Sequence, residues 1–346
     1  MKKDIKSMLP SELVESFKSI GEKGYRAKQV FSWLHRNVKS FDEMTDLSLG
    51  LRDKLNEEFY ISGLEVANKQ VSSDGTIKYL WKSGESTFES VFMEYKHGFT
   101  ICISTQVGCK MGCVFCASSI GGFIRNLTAS EMLDQILFSQ DDAKKRVSNV
   151  VLMGMGEPLD NFDNVIRFIE LIREPKGLNI GARHITLSTC GLPAHIDRLA
   201  QYGVQLSLAI SLHAPDDDTR SMLMPCNRNT GVKALIGAAD SYNKTTGRRV
   251  TYEYALINDV NDTVEHAQML VDLLKNTGSH LNLINLSKVS ESEFLPSSKE
   301  NVDRFSQILL DNRISFTTRR SLGSDIDAAC GQLRRRNKIN GLMGCD

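Results

Sequence analysis

Cys109, Cys113 and Cys116 fall within the run Cys-Lys-Met-Gly-Cys-Val-Phe-Cys. A structural zinc ion wants four ligands, often as paired C-x-x-C knuckles. Three thiolates at x3 and x2 spacing instead suit a [4Fe-4S] cluster with one iron left open, able to hold a small molecule and pass it an electron. Cys102 lies seven residues before Cys109 and keeps a second arrangement open, a zinc site of Cys102, Cys109, Cys113 and Cys116. Cys190, Cys226 and Cys345 read as buried, inert thiols.

A series of strands alternating with helices must position these residues. Strands are expected at 99–104, 149–153, 184–188, 205–211, 250–257, 281–286 and 315–319. Helices are expected at 128–140, 161–173, 193–202, 231–244, 262–275 and 298–312, the first opened by the capping box Thr128-Ala129-Ser130-Glu131. Repeated strand–helix units require a parallel sheet with right-handed crossovers. Six units and a closing strand give an α/β fold, a partial (β/α)6 barrel. The expected division is a helical N-terminal module (1–60), an antiparallel unit turning at Ser73-Asp74-Gly75 (61–95), the barrel (96–325) and a C-terminal loop (326–346).

The active site of a β/α barrel lies at the C-terminal ends of its strands. The cysteine triplet follows the first strand and Gly154-Met155-Gly156-Glu157-Pro158 the second. Ser188 ends the third, Ser211-Leu212-His213 the fourth, and Ser287 follows the sixth. All the distinctive polar clusters therefore reach one face. Glu157, after the close-approach glycine Gly156, can accept from an amino group. Ser188, Ser211 and His213 can serve hydroxyls and a carboxylate. Cys330 follows the last strand in a loop of small residues that can present a thiol at the barrel mouth.

Composition narrows the class. The 346 residues carry 42 basic and 42 acidic side chains, so any nucleic-acid footprint must be local rather than global. Basic clusters stand at Lys144-Lys145-Arg146, Arg248-Arg249, Arg319-Arg320 and Arg334-Arg335-Arg336. No apolar run approaches the roughly 18 residues of a membrane span. The N-terminus lacks a secretory h-region, so a cytoplasmic protein with reduced thiols is expected.

The cysteine spacing resembles that of the radical S-adenosylmethionine (SAM) enzymes. Further strings narrow the likeness. They are Tyr25-Arg26-Ala27-Lys28-Gln29-Val30-Phe31, Ser73-Asp74-Gly75-Thr76, Cys102-Ile103-Ser104-Thr105-Gln106-Val107-Gly108-Cys109, Ser211-Leu212-His213-Ala214-Pro215 and Asp325-Ile326-Asp327-Ala328-Ala329-Cys330-Gly331-Gln332-Leu333. Over nearly its whole length the chain resembles the radical SAM adenosine methyltransferases of the RlmN and Cfr type. The RlmN branch makes 2-methyladenosine in 23S rRNA, at the peptidyl-transferase centre, and in tRNA just after the anticodon. The Cfr branch targets carbon 8.

The resemblance implies a [4Fe-4S] cluster on Cys109, Cys113 and Cys116. It implies SAM contacts from Gly156, Glu157, Ser188, Ser211, Leu212, His213 and the Ser287 position, where the family usually carries asparagine. Asn282 and Asn285 could substitute for that asparagine. Two SAM molecules are spent per turnover: one methylates Cys330, and one yields the radical that activates the methyl group. The carbon adds to adenine, and Cys102 then resolves the adduct, leaving a Cys102–Cys330 disulfide that an external reductant restores. Glu89 matches a proton-acceptor position, against the plain alternative of an exposed strand carboxylate. Expected partners are 23S rRNA, tRNA and a flavodoxin- or ferredoxin-like electron donor, with the chain a monomer. The helical module would read folded RNA by shape, with the target base flipped into the barrel mouth.

Overall fold

The computed structural model describes residues 2–96, 98–287, 292–319, 322–328 and 332–333. Three helices form the N-terminal module: α1 (Pro10–Ser19), α2 (Gly24–Leu34) and α3 (Leu49–Glu58). Leu13, Phe17, Val30, Leu34, Leu51 and Leu55 are their buried apolar stripes. Lys6 pins the module to the next domain. Its ammonium reaches Asp134 at 2.7 Å and Ser62 O at 2.8 Å, and the Lys6 and Asp134 side chains are fully buried.

Three antiparallel strands follow, β1 (Glu65–Val71), β2 (Ile77–Ser83) and β3 (Ser86–Tyr95). They continue directly into the barrel sheet, because β3 pairs antiparallel with β4 (Gly98–Cys102). From β4 onward every pairing is parallel: β5 (Val147–Leu152), β6 (Ile185–Thr189), β7 (Ser207–Ser211), β8 (Thr251–Leu256), β9 (His280–Asn285) and β10 (Phe316–Arg319). The ten strands of this sheet lie in strict chain order. Helices α4 (Ala129–Ala143), α5 (Phe162–Arg173), α6 (Pro193–Tyr202), α7 (Asp217–Leu223), α8 (Val232–Thr246), α9 (Val264–Leu274) and α10 (Lys299–Asp311) make the crossovers. The capping box forms as expected: Thr128 Oγ1 accepts from Glu131 N, and Glu131 Oε2 accepts from Thr128 N at 2.9 Å.

Strand parity sorts the sheet into two faces. Ile101, Val150, Leu187, Leu208, Tyr252 and Leu281 are buried on the helix side. The alternate residues Cys102, Val151, Thr186 and Ser207 lie in one register row of the inner face. Ser211, Glu253, Asn282 and Thr317 form another. Apolar burial thus holds the barrel together from outside and leaves the lumen polar. No helix among the described residues is long and apolar enough to cross a membrane.

Candidate active site

At the C-terminal ends of the parallel strands lies an open cavity. Its wall includes Cys109, Cys113, Cys116, Gly156, Glu157, Ser188, Ser211, His213 and Ser287. The cysteine triplet and six of the seven expected SAM-contact residues are therefore brought to one cavity, whereas Cys102 and Glu89 are not on its wall. Leu212 is the exception on this wall: its side chain is in the core, and its backbone binds Glu253 O and the Arg220 guanidinium. Asn285 is exposed, and Asn282 binds Glu253 and Thr317, so Ser287 stands at the wall without either as replacement.

The cysteine loop is built around a close approach. Gly108 has φ +73°, and a Cβ there would sit 1.8 Å from Gly122 O, so only glycine fits. The short pairing of Gln106–Val107 with Arg125–Asn126 closes the base of the loop. Burial pushes the Cys109 thiol up to about 12 and raises those of Cys113 and Cys116. A bound cation reverses that preference and holds the sulfurs as thiolates. Among the described residues no three His, Cys, Asp or Glu groups converge on a single ion. Cys102 packs against the main core, whereas Cys113 and Cys116 pack against a second apolar cluster with Phe115 and Leu223. Cys102 therefore does not share the surroundings of Cys113 and Cys116. Cys109, Cys113 and Cys116 line one cavity, which fits the three protein ligands of a four-iron cube.

Glu157 is buried, which raises its pKa, although N–H groups of Cys190 (2.7 Å) and Leu159 (3.0 Å) donate to its two oxygens and pull the other way. The carboxylate is thereby fixed in orientation with lone pairs left for an amino donor. His213 accepts from Ala255 N–H through Nδ1 at 2.9 Å, which places its proton on Nε2. Burial first, and the Arg220 charge second, lower its pKa to about 3, so it is a neutral donor at the wall.

Sequence reasoning did not single out Arg220. Its side chain is fully buried and donates to Leu212 O, Ser211 O, Cys190 O and Asn227 Oδ1. It ties the loop after β6 to the loop after β7, and so Glu157 to His213. Cys190, read above as inert, lends its backbone N–H to Glu157 and lines the cavity.

Glu89 is 1% exposed, which removes the plain alternative of a solvated strand carboxylate. It shares the inner face with Cys102, since Val91 pairs with Cys102 and Glu89 lies two residues before Val91. Cys330, like Cys345, lies outside the described residues. Its flanks are placed. Gly323 N donates to Asp74 Oδ2 at 2.9 Å and Ser72 Oγ to Asp325 Oδ1 at 2.6 Å, while Leu333 O accepts from Ser118 Oγ at 2.7 Å at the cavity wall.

A mostly parallel half-barrel with three thiols at the strand ends defines the radical SAM class, and the Radical SAM superfamily model matches residues 103–274. The cofactors of this class are a [4Fe-4S] cluster and SAM, and the cavity and donor set fit both. The model of the Ribosomal RNA large subunit methyltransferase N-terminal domain matches residues 3–61. The chain is 49% identical to a probable dual-specificity RNA methyltransferase RlmN of Alkaliphilus oremlandii, over 97% of this chain and 99% of that one. It is 50% identical to the protein of the same name from Desulforamulus reducens, over 97% of each. The crystal structure of a radical SAM methyltransferase from Sphaerobacter thermophilus superposes with a TM-score of 0.92 at 42% identity, covering 96% of this chain and 99% of that one. The chain belongs to the RlmN family.

Proposed function

We propose that this chain is a radical SAM RNA methyltransferase that converts adenosine to 2-methyladenosine in 23S rRNA and in tRNA next to the anticodon. The observation that supports it most is the meeting, in one barrel, of a three-thiol cavity and a buried inner face bearing Glu89 and Cys102. Ring carbon 2 of adenine is neither acidic nor nucleophilic, so ordinary methyl displacement fails there. When bound, the cluster and SAM supply one-electron chemistry and the methyl carbon.

The chain's own residues do the rest. Cys109, Cys113 and Cys116 hold the cluster. Glu157 orients the SAM amino group, while Ser188, Ser211 and His213 serve its hydroxyls and carboxylate, with Gly156 allowing close approach and Ser287 taking the place of asparagine. Cys330 accepts and carries the methyl carbon as a thioether. Glu89 takes the proton that the ring carbon must lose. Cys102 gives up its proton and attacks the Cys330 sulfur, so a disulfide forms as the carbon–sulfur bond breaks, and the departing carbon takes up a proton to become the methyl group. A flavodoxin- or ferredoxin-type donor supplies electrons, an external reductant returns both thiols, and the chain acts as a monomer.

Anaerobic turnover with labelled SAM, an rRNA fragment and tRNA, followed by nucleoside mass spectrometry, tests this reading. The expected product is 2-methyladenosine, absent with Cys330→Ala. Finding 8-methyladenosine would overturn the assigned carbon, and methylation by Cys330→Ala would overturn the carrier.

A further inference from the structure

The inner face holds a buried cation that no step above uses. Lys78 on β2 is 3% exposed, and its ammonium lies 3.8 Å from Glu89 Oε1. Lys78 pairs with Val91 on β3, and Val91 pairs with Cys102 on β4, so Lys78, Glu89 and Cys102 occupy one patch of one face. The same ammonium donates to Asp327 O at 3.2 Å. Asp327 belongs to the loop that the Ser72–Asp74 turn grips, through Gly323 N to Asp74 and Asp325 to both Ser72 Oγ and Ser73 N. Cys330 follows three residues later.

We infer that Lys78 is a positioning residue that joins the Glu89 carboxylate to the loop leading to Cys330, so that docking of the carrier loop and readiness of the proton acceptor are one event. The inference rests on the reading of Glu89 as that acceptor. A carboxylate buried to this degree favours its neutral form, which cannot take a proton, whereas an adjacent ammonium favours the charged form. The Asp327 carbonyl fixes where that ammonium sits. Lys78 from β2 faces Glu89, Cys102 from β4 lies on the same face, and Asp327 of the C-terminal loop lies beyond Lys78. Methionine matches the lysine stem in length and cannot serve either partner.

The experiment compares Lys78→Met, Glu89→Gln and the double variant, each anaerobically loaded with cluster, with iron content and thermal midpoint as fold checks. Three readouts are product formation, covalent protein–RNA adduct on denaturing gels, and the pH dependence of adduct resolution. Losing the cation neighbour disfavours the ionised form of the acceptor, so Lys78→Met should form product more slowly, on the order of 10-fold, and accumulate adduct. Raising the pH should restore Lys78→Met and leave Glu89→Gln unchanged. The double variant, which removes both buried charges and so keeps the fold check independent, should be no slower than Glu89→Gln alone. Wild-type rates in Lys78→Met, a defect that pH does not relieve, or losses that multiply in the double variant would overturn the inference. Wild-type product formation by Glu89→Gln would instead sink the underlying acceptor reading, and that result is visible without any Lys78 variant.

Discussion

Arg220→Met should separate the site's framework from its chemistry. The buried guanidinium donates at 3.0 Å to Leu212 O, 2.9 Å to Ser211 O, 2.6 Å to Cys190 O and 2.6 Å to Asn227 Oδ1. Hydrogen bonds to a charged group contribute about 1.5–3 kcal/mol each, so the four set a gross ceiling of about 6–12 kcal/mol. Burying a cation offsets several kcal/mol of that. The net cost of deletion is then about 3–5 kcal/mol, because three strand-end carbonyls lose their donor inside the protein. Arg220→Lys keeps the charge without the planar fork and should cost about half as much. Urea unfolding followed by far-ultraviolet circular dichroism measures the first quantity. SAM affinity of the cluster-loaded protein measures the second, and it should fall about 10-fold, since the Cys190 N–H that orients Glu157 loses its anchor. A loss below about 1 kcal/mol with unchanged SAM affinity would refute the claim that Arg220 sets the geometry of the cavity wall.

Three other outcomes follow from the same structure. Gly108→Ala should prevent cluster assembly, because its Cβ would lie 1.8 Å from Gly122 O, whereas Gly75→Ala meets nothing within 4 Å and should cost only the strain of its positive φ; iron per chain after reconstitution distinguishes them. Lys6→Met should destabilise the protein by about 3–5 kcal/mol by leaving Asp134 buried alone, and Lys6→Met with Asp134→Leu should recover most of that in urea unfolding. The grip on the C-terminal loop should be acid-sensitive. Burial raises the Asp74 carboxyl, but hydrogen bonds from Gly323 N–H, Thr76 and Ser72 outweigh it and bring the pKa from 3.8 to about 2. A depressed acid stabilises the fold above its unfolded pKa, so this contribution is complete above pH 3.8 and lost as pH falls towards 2. Faster hydrogen exchange at Gly323 in Asp74→Ala than in wild type, at neutral pH, checks the contact; equal rates would discount it.

The strand order was legible because each βα unit carries its own punctuation: the Thr128 capping box, the apolar stripe of α5, and the Gly203 and Gly247 helix ends. The strand-end rule then gathered the cysteine triplet, Glu157, Ser188, Ser211 and His213 without knowledge of the fold. What escaped was polar burial. In Ser86–Tyr95 the local sequence lets Glu89 read as an exposed strand carboxylate, yet residues 88–93 are all buried. Arg220, within the acidic Asp217–Leu223, reads as a surface charge, and only the fold brings the carbonyls of Ser211, Leu212 and Cys190 around it. Lys6 finds Asp134 across 128 residues, a pairing with no local signal. Asn261, which donates to His213 O and Ala255 O, is hidden for the same reason.

The most direct measurement is anaerobic reconstitution followed by reduction in the presence of SAM. The account predicts about four irons and four sulfides per chain on three cysteines, with 5′-deoxyadenosine released and a methyl group found on Cys330. A colourless protein that binds stoichiometric zinc, or an iron-loaded one that never yields 5′-deoxyadenosine, would contradict it.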